Sequence, residues 1–232
     1  MRVIAIIPVH TQSKRLPKKF WLDLIGKPML QHIYERVSRA KRVDKVVIAM
    51  PLESEQLYMA INERFGGETI APSVPYNDIA GRLAVTAQIY GADYVVRIGG
   101  DSPAVDPVLI DMLVEHAVGV NLPLLFSNVG NYDGAQGWPD GFGAEVYSTD
   151  LLWWINRHVD DAGDREHIHR IFHRNKLVSV PPSPYLSWSN KYCIEVNTPE
   201  EYDQVRVMYE HFGHNEFDTL QVMGYLDALH LA

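Results

Sequence analysis

The chain has 232 residues, 47% of them apolar and 22% charged, with a formal charge of −8; it is long enough to bury a core without disulfides or structural metals, and its acidic balance argues against wrapping nucleic acid. One cysteine, Cys193, excludes an internal disulfide, and the opening apolar run is too short for a signal peptide or a membrane span, so a single cytoplasmic domain over residues 1–232 is expected. The charge is uneven: the first 50 residues hold 11 Lys and Arg against 3 Asp and Glu, a local +8, while the remainder carries −16.

Residues 2–8, RVIAIIP, form a continuous β-branched run closed by Pro8, the pattern of a strand buried on both faces of a parallel sheet. The next stretch, VHTQSKRLPKK, crowds Lys14, Arg15, Lys18 and Lys19 into six positions around Pro17. On a loop that leaves a strand for a helix, such cations and the backbone N–H groups suit phosphate, and two pairs could hold those of a nucleotide. Arg36, Arg39, Lys41, Arg42 and Lys45 are read instead as a solvated helix face.

Met29, Leu30, Ile33 and Val37 recur at helical spacing. A second buried strand over 43–51, a helix over 54–65, a short strand over 68–72 and a helix over 77–91 follow. Next come a strand over 93–100, a helix over 106–118 and a strand over 122–129. This alternation predicts a doubly wound α/β sheet with ligand loops at the carboxyl ends of its strands. Beyond residue 130 the Gly- and Asp-rich GNYDGAQGWPDGFGAEVYS predicts an inserted loop or hairpin running into a strand. Helices over 149–159 and 164–175 precede a strand over 192–197. A last helix follows, with Thr198 as N-cap, Pro199 at N1 and Glu201 at N3.

No GxxxxGK[ST] is present, and the glycines of GWPDGFG have the wrong context for a dinucleotide fingerprint, so side chains must grip any phosphate. In VVRIGGDSPAVDP, Gly99 and Gly100 allow close approach to the backbone. Asp101 is either a seat for Mg²⁺ or the start of an Asp-Ser-Pro turn capping the next helix. Glu195 and Asn197, in IEVNTPEE, read on their own as part of a helix cap. His169 and His173 share a helix face, but without HExxH the histidines are taken as solvated or capping groups, not a zinc site; Glu166 and His167 are placed to face a site from the helix start. Cys193, in an expected buried strand, is read as an inert core thiol. Of the adjacent Trp153 and Trp154, one is expected to face the core and the other a partner.

The opening IIPVHTQSKRLPKKFWLDLIGKPM resembles that of the nucleotide-sugar cytidylyltransferases: the spore-coat polysaccharide group, the CMP-Kdo synthetase-like enzymes and the wider acylneuraminate cytidylyltransferase superfamily. Their opening has the form IIPARxxSxRLPxKxLxxxxGKPM, matched here through Ile7, Pro8, Ser13, Arg15, Leu16, Pro17, Lys19, Gly26, Lys27, Pro28 and Met29. NDIAGRL, VVRIGGDSPAVDP, WPDGFGAEVYS, DREHIHRIF and IEVNTPEEY resemble further family segments in the same order.

The resemblance implies a three-layer α/β/α Rossmann-like nucleotidyltransferase fold with a predominantly parallel mixed sheet. It implies transfer from CTP to a sugar, an acidic one, giving a CMP-sugar for polysaccharide synthesis, with Mg²⁺ as cofactor and a homodimer as the assembly. By motif match, Arg15, Lys19 and Asp101 are catalytic; Pro8, His10, Ser13, Arg82 and Gly100 join Arg15 and Lys19 on the nucleotide. Asp140, Glu145, Glu166 and His167 take the sugar, and Asp101 and Asn197 take the metal. Two departures stand out: the family's Pro-Ala-Arg is Pro8-Val9-His10, which replaces a fixed cation, and its Val-Asp-Thr-Pro is Val196-Asn197-Thr198-Pro199, which removes a carboxylate. The alternatives are a non-catalytic nucleotide or nucleotide-sugar binder and a transferase of the same fold using another nucleotide or acceptor.

Overall fold

The computed structural model describes residues 1–10, 13, 15–120, 122–128, 138–185 and 192–231. The first strand, β1 (Val3–Pro8), shows how the layers arise. Its alternate side chains serve two cores: Val3, Ala5 and Ile7 join one apolar cluster, Ile4 and Ile6 another. A strand buried on both faces has no need of polar alternation, which is why the run reads as uniformly apolar.

After β1 the chain forms a small hairpin, β2 (Asp23–Leu24) and β3 (Lys27–Pro28), then α1 (Met29–Val37), β4 (Lys45–Ala49), α2 (Glu55–Arg64) and β5 (Thr69–Ile70). It returns through α3 (Ile79–Ile89), β6 (Tyr94–Arg97), α4 (Pro107–Ala117) and β7 (Leu125–Ser127). The second half adds β8 (Glu145–Ser148), α5 (Thr149–His158), α6 (Ala162–Glu166), α7 (His169–Arg174), β9 (Val178–Ser179), α8 (Pro199–Phe212) and α9 (Thr219–Leu231).

The main sheet has seven strands in the order β5-β4-β1-β6-β8-β7-β9. β8 alone runs antiparallel to its neighbours β6 and β7; the other pairs are parallel. Residues from α1, α4, α8 and α9 pack on one face, and those from α3, α5 and α7 on the other, giving the three-layer mixed sheet. The chain walks outward from β1 to β5 and then returns to the opposite side of β1 as β6. That reversal opens a crevice between the carboxyl ends of β1 and β6, where α/β sheets bind ligands.

Several expectations are corrected. The helix expected over 164–175 is broken into α6 and α7 at His167, whose backbone is non-helical. Residues 192–197 form no strand; this stretch makes one bridge, Asp140 to Cys193, and is held by hydrogen bonds from Ile194 N to Asp140 O and Val196 N to Asp101 O. Gly141, at φ +87°, lets it approach, since a Cβ there would lie 2.7 Å from the Ile194 carbonyl carbon. Arg36, expected in a solvated face, is 0% exposed. The capping box at Thr198 and Glu201 is present as expected; of the two tryptophans, Trp153 packs on a core as expected for one of the pair, and Trp154 is exposed. The loop after residue 130 falls mostly on residues 129–137, outside the described residues. Among the described residues no helix is long and apolar enough to cross a membrane.

Candidate nucleotide site

A cleft of about 560 Å³ occupies the crevice between β1 and β6. Pro8 and His10 enter it from the end of β1, Ser13, Arg15 and Lys19 from the basic loop, and Gly99, Gly100 and Asp101 from the end of β6. Glu166 and His167 reach it from the break between α6 and α7, and Asn197 from the residue before the α8 cap. A larger cavity, about 980 Å³, opens beside the amino end of β6 near Tyr94, Ser148 and Trp154; its walls are mostly apolar, with Asp93 and Asp150 but no cation, so the smaller cleft is the candidate site.

The geometry joins segments far apart in sequence. Lys19 Nζ donates to Asp101 Oδ2 at 3.2 Å, to Val196 O at 3.3 Å and to Asn197 Oδ1 at 3.4 Å. Arg15 Nη2 reaches Asn197 Oδ1 at 3.5 Å. Lys19 begins a short 3₁₀ turn, Lys19–Trp21, entered through Lys18 in a left-handed conformation at φ 57°, a backbone state that a non-glycine residue adopts at a cost. Lys18 is exposed and does not line the cleft; Lys14 lies outside the described residues. The turn puts Phe20 against Gly100, where a Cβ would sit 2.9 Å from the Phe20 ring and 3.2 Å from the Pro8 carbonyl oxygen. Asp101 is thus no helix cap: α4 is capped by Asp106, whose side chain accepts from Val108 N.

Burial, followed by the Arg82 charge, holds His10 below the ordinary imidazole range, and burial followed by Arg170 does the same for His167. Both are neutral near pH 7. His10 meets the Tyr76 ring edge-on with centroids 5.7 Å apart.

Three expected site residues stand behind the walls. Arg82 is fully buried and donates to Val9 O at 3.0 Å and Tyr76 O at 2.5 Å, so it shapes the backbone on either side of His10 and is not part of the cleft lining. Asp140, 2% exposed, accepts from the Cys193 thiol at 3.0 Å. Glu145, 1% exposed, accepts from Arg97 Nη1 at 2.8 Å and from the Tyr147 hydroxyl at 2.9 Å. Cys193 is itself exposed, contrary to expectation; burial of its sulfur and the Asp140 bond still push the thiol up to about 12, which keeps it protonated and unreactive.

Arg97, Tyr76 and Asn77 were missed, and Glu195 was read only as part of a helix cap. An arginine inside the apolar VVRIGG was the available signal for Arg97, because a charge in a core strand needs a partner or a purpose. Glu195 accepts from Asn197 Nδ2 at 3.3 Å. Its carboxyl is pushed up to about 8 by burial, then by the charges of Asp101 and Asp140. Among the described residues, Asp140, Cys193 and Glu195 are the one set of three metal-capable groups whose ligand atoms lie within 4.8 Å of one another.

A carboxyl with a folded-state value of about 8 against 4.5 unfolded leaves the fold unpenalised below pH 4.5 and costs stability progressively as pH rises to 8. Glu195→Gln, neutral throughout, is therefore expected to raise the melting temperature by an amount that grows from pH 5 to pH 9. Thermal melts in a chelating buffer check this; a difference independent of pH would remove the buried charge as its cause.

A cleft at the switch point of a doubly wound sheet, with cations and a carboxylate facing each other, has the charge and the N–H donors that the phosphates of a ligand would need. The model of the cytidylyltransferase family matches residues 4–121, and the chain belongs to that family. The 3-deoxy-manno-octulosonate cytidylyltransferase of Trichlorobacter lovleyi is 36% identical over 119 residues, which cover 51% of this chain and 46% of that protein; the chain spans about half the length of such curated relatives. An uncharacterized protein of Methanocaldococcus jannaschii is 25% identical over 98% of this chain and 91% of its own. The solved structure of a cytidylyltransferase from Leptospira borgpetersenii shares the fold with a TM-score of 0.87, at 22% identity, over 98% of this chain and 94% of that one.

Proposed function

We propose that the protein transfers a cytidylyl group from CTP to a hydroxyl of an acidic sugar, releasing pyrophosphate and a CMP-sugar for polysaccharide synthesis. One observation carries this reading. Lys19, from the basic loop after β1, and Asp101, from the end of β6, meet at 3.2 Å across the switch point in a chain of the cytidylyltransferase family.

In the proposed step the sugar oxygen attacks the α-phosphorus, forming one P–O bond. The bond to the oxygen bridging to the β-phosphorus breaks in line, and pyrophosphate leaves with that electron pair. The hydroxyl proton passes to a neutral imidazole of the cleft, His10 or His167. Arg15, Lys19 and Ser13 hold the triphosphate, and the reaction draws on positioning and charge compensation, not on covalent help.

The oxygens around Lys19, from the Asp101 carboxylate, the Asn197 amide and the Val196 carbonyl, are hard donors of the kind Mg²⁺ takes. Asp101 and Asn197 would hold the ion, and Glu195, hydrogen-bonded to Asn197, keeps a second carboxyl beside them although position 197 itself is neutral. Bound there, Mg²⁺ would offset phosphate charge. A homodimer through the face around the exposed Trp154 belongs to the same proposal.

The test is pyrophosphate release with each nucleoside triphosphate, Mg²⁺ or Mn²⁺, and a panel of acidic and neutral sugars. CTP-dependent turnover that falls by at least roughly a hundredfold in Asp101→Ala is expected, the usual scale for removing a charged group from a phosphoryl-transfer site. Tight CTP binding without turnover across the panel would identify a binder, and preference for another triphosphate a different transferase.

A further inference from the structure

Arg97 ends β6 directly opposite Glu145 of β8 in the antiparallel register. The two side chains meet at 2.8 Å, and Glu145 is 1% exposed. Burial raises the Glu145 carboxyl, but the Arg97 charge, His169 and the hydrogen bonds from Tyr147 and Arg97 together outweigh it and hold the group below the usual carboxylate range. The Tyr147 hydroxyl donates to the same Glu145 oxygen, and His169 lies 3.7 Å from the other. Burial pushes that imidazole down to about 4, so it is neutral. Arg97 is thus a cation fixed from below by a buried, oriented carboxylate, while it forms part of the cleft wall beside His10, Gly99, Glu166 and His167.

The cleft divides by chemistry. Arg15, Lys19, Asp101 and Asn197 are joined by mutual contacts, and Arg97, Glu166 and His167 form a further part of the lining. The groups that fix and flank Arg97, namely Glu145, Tyr147, Glu166, His167 and His169, all follow residue 121, where the family match ends. Arg97 itself lies inside the match, in the part that also supplies the basic loop and Asp101.

We infer that Arg97 is the specificity-determining anchor for the carboxylate of the acceptor sugar, an inference that rests on the cytidylyl-transfer reading. A guanidinium has the planar fork that pairs with a carboxylate, and one already held in place loses little freedom on binding. Glu166, on the same wall, repels a carboxylate and accepts sugar hydroxyls, so the acceptor's charged end and its hydroxyl face are told apart.

Titration calorimetry tests this with three probes: CTP, 3-deoxy-manno-octulosonate, and the neutral analogue in which its carboxylate is reduced to an alcohol. For R97Q the acid is expected to bind roughly ten- to a hundredfold more weakly, the scale of a charge-assisted pair, with CTP affinity unchanged within about twofold and the neutral analogue little affected. R97K keeps a charge opposite Glu145 and preserves the fold, and is expected to restore only part of the loss because it lacks the fork. Parallel weakening of CTP would make Arg97 a phosphate ligand and overturn the inference, as would wild-type protein that binds acid and neutral analogue alike. Absence of CTP turnover in the wild type would defeat the transferase reading, whereas the comparison of acid with neutral analogue would still decide the role of Arg97.

Discussion

Lys19→Ala is expected to lower kcat/KM for CTP by at least an order of magnitude. The ammonium is largely buried, 11% exposed, among the Asp101 carboxylate, the Val196 carbonyl and the Asn197 amide. A phosphate contact made there is charge-assisted and poorly screened, which places its removal at roughly 1.5–3 kcal/mol, or about ten- to a hundredfold. Loss of the lysine has a second effect. The Asp101 carboxylate, 3.2 Å from the Lys19 ammonium, is left without that cation, so the acidic side of the cleft repels an incoming triphosphate more strongly. Steady-state kinetics over a CTP series separates the contributions. A rise in KM at constant kcat marks a contact made equally in the ground and transition states, and a fall in kcat marks one that tightens as pyrophosphate leaves. Kinetics close to wild type would remove Lys19 from the site. Lys19→Arg, which keeps the charge but not the compact ammonium, is expected to retain part of the activity.

The parts of this site legible in the sequence are those whose chemistry is carried by contiguous residues. VIAIIP followed by a basic loop, and VVRIGG followed by Asp101, each announce a buried strand that ends in functional groups, and the sheet order then places the two ends side by side. What was misread depends on partners remote in sequence. Arg82, Asp140 and Glu145 sit in matching motifs, yet their partners are the Val9 carbonyl, the Cys193 thiol and the Arg97 guanidinium, contacts no local pattern discloses. Residues 192–197 have the composition of a strand, but backbone bonds to Asp140 and Asp101 hold them in place of a ladder, and this irregular path is what carries Asn197 to the cleft, with Glu195 hydrogen-bonded behind it. Glu166 and His167 reach the same wall only because the helix breaks at His167, where the continuous pattern DREHIHRIF gives no warning.

Arg36→Ala is expected to be the most destabilising single change in the chain. The side chain is 0% exposed, and four of its N–H bonds end on backbone carbonyls: Val105 at 2.7 Å, Asn215 at 2.6 Å, Phe217 at 3.0 Å and Ala104 at 3.2 Å. The guanidinium also lies over the Phe217 ring, 4.3 Å from its centroid. Among the described residues no carboxylate forms an ion pair with it, so the carbonyl dipoles, with the Phe217 ring and the more distant Asp106 charge, offset a buried charge. Removing the side chain strands those acceptors away from water and opens a void. At about 1–3 kcal/mol for each unsatisfied group, without full additivity, the loss comes to about 4 kcal/mol or more, a large share of the stability of an ordinary domain. Arg36 joins α1 to the turn that follows Asp101 and to the loop between α8 and α9, so its loss also slackens the support of the Asp101 wall. Urea unfolding is expected to show a midpoint far below wild type, with Arg36→Lys in between because an ammonium reaches fewer of the four carbonyls. A loss below about 1 kcal/mol would mean that water replaces the guanidinium at these carbonyls, and that α1 is held by its apolar face alone.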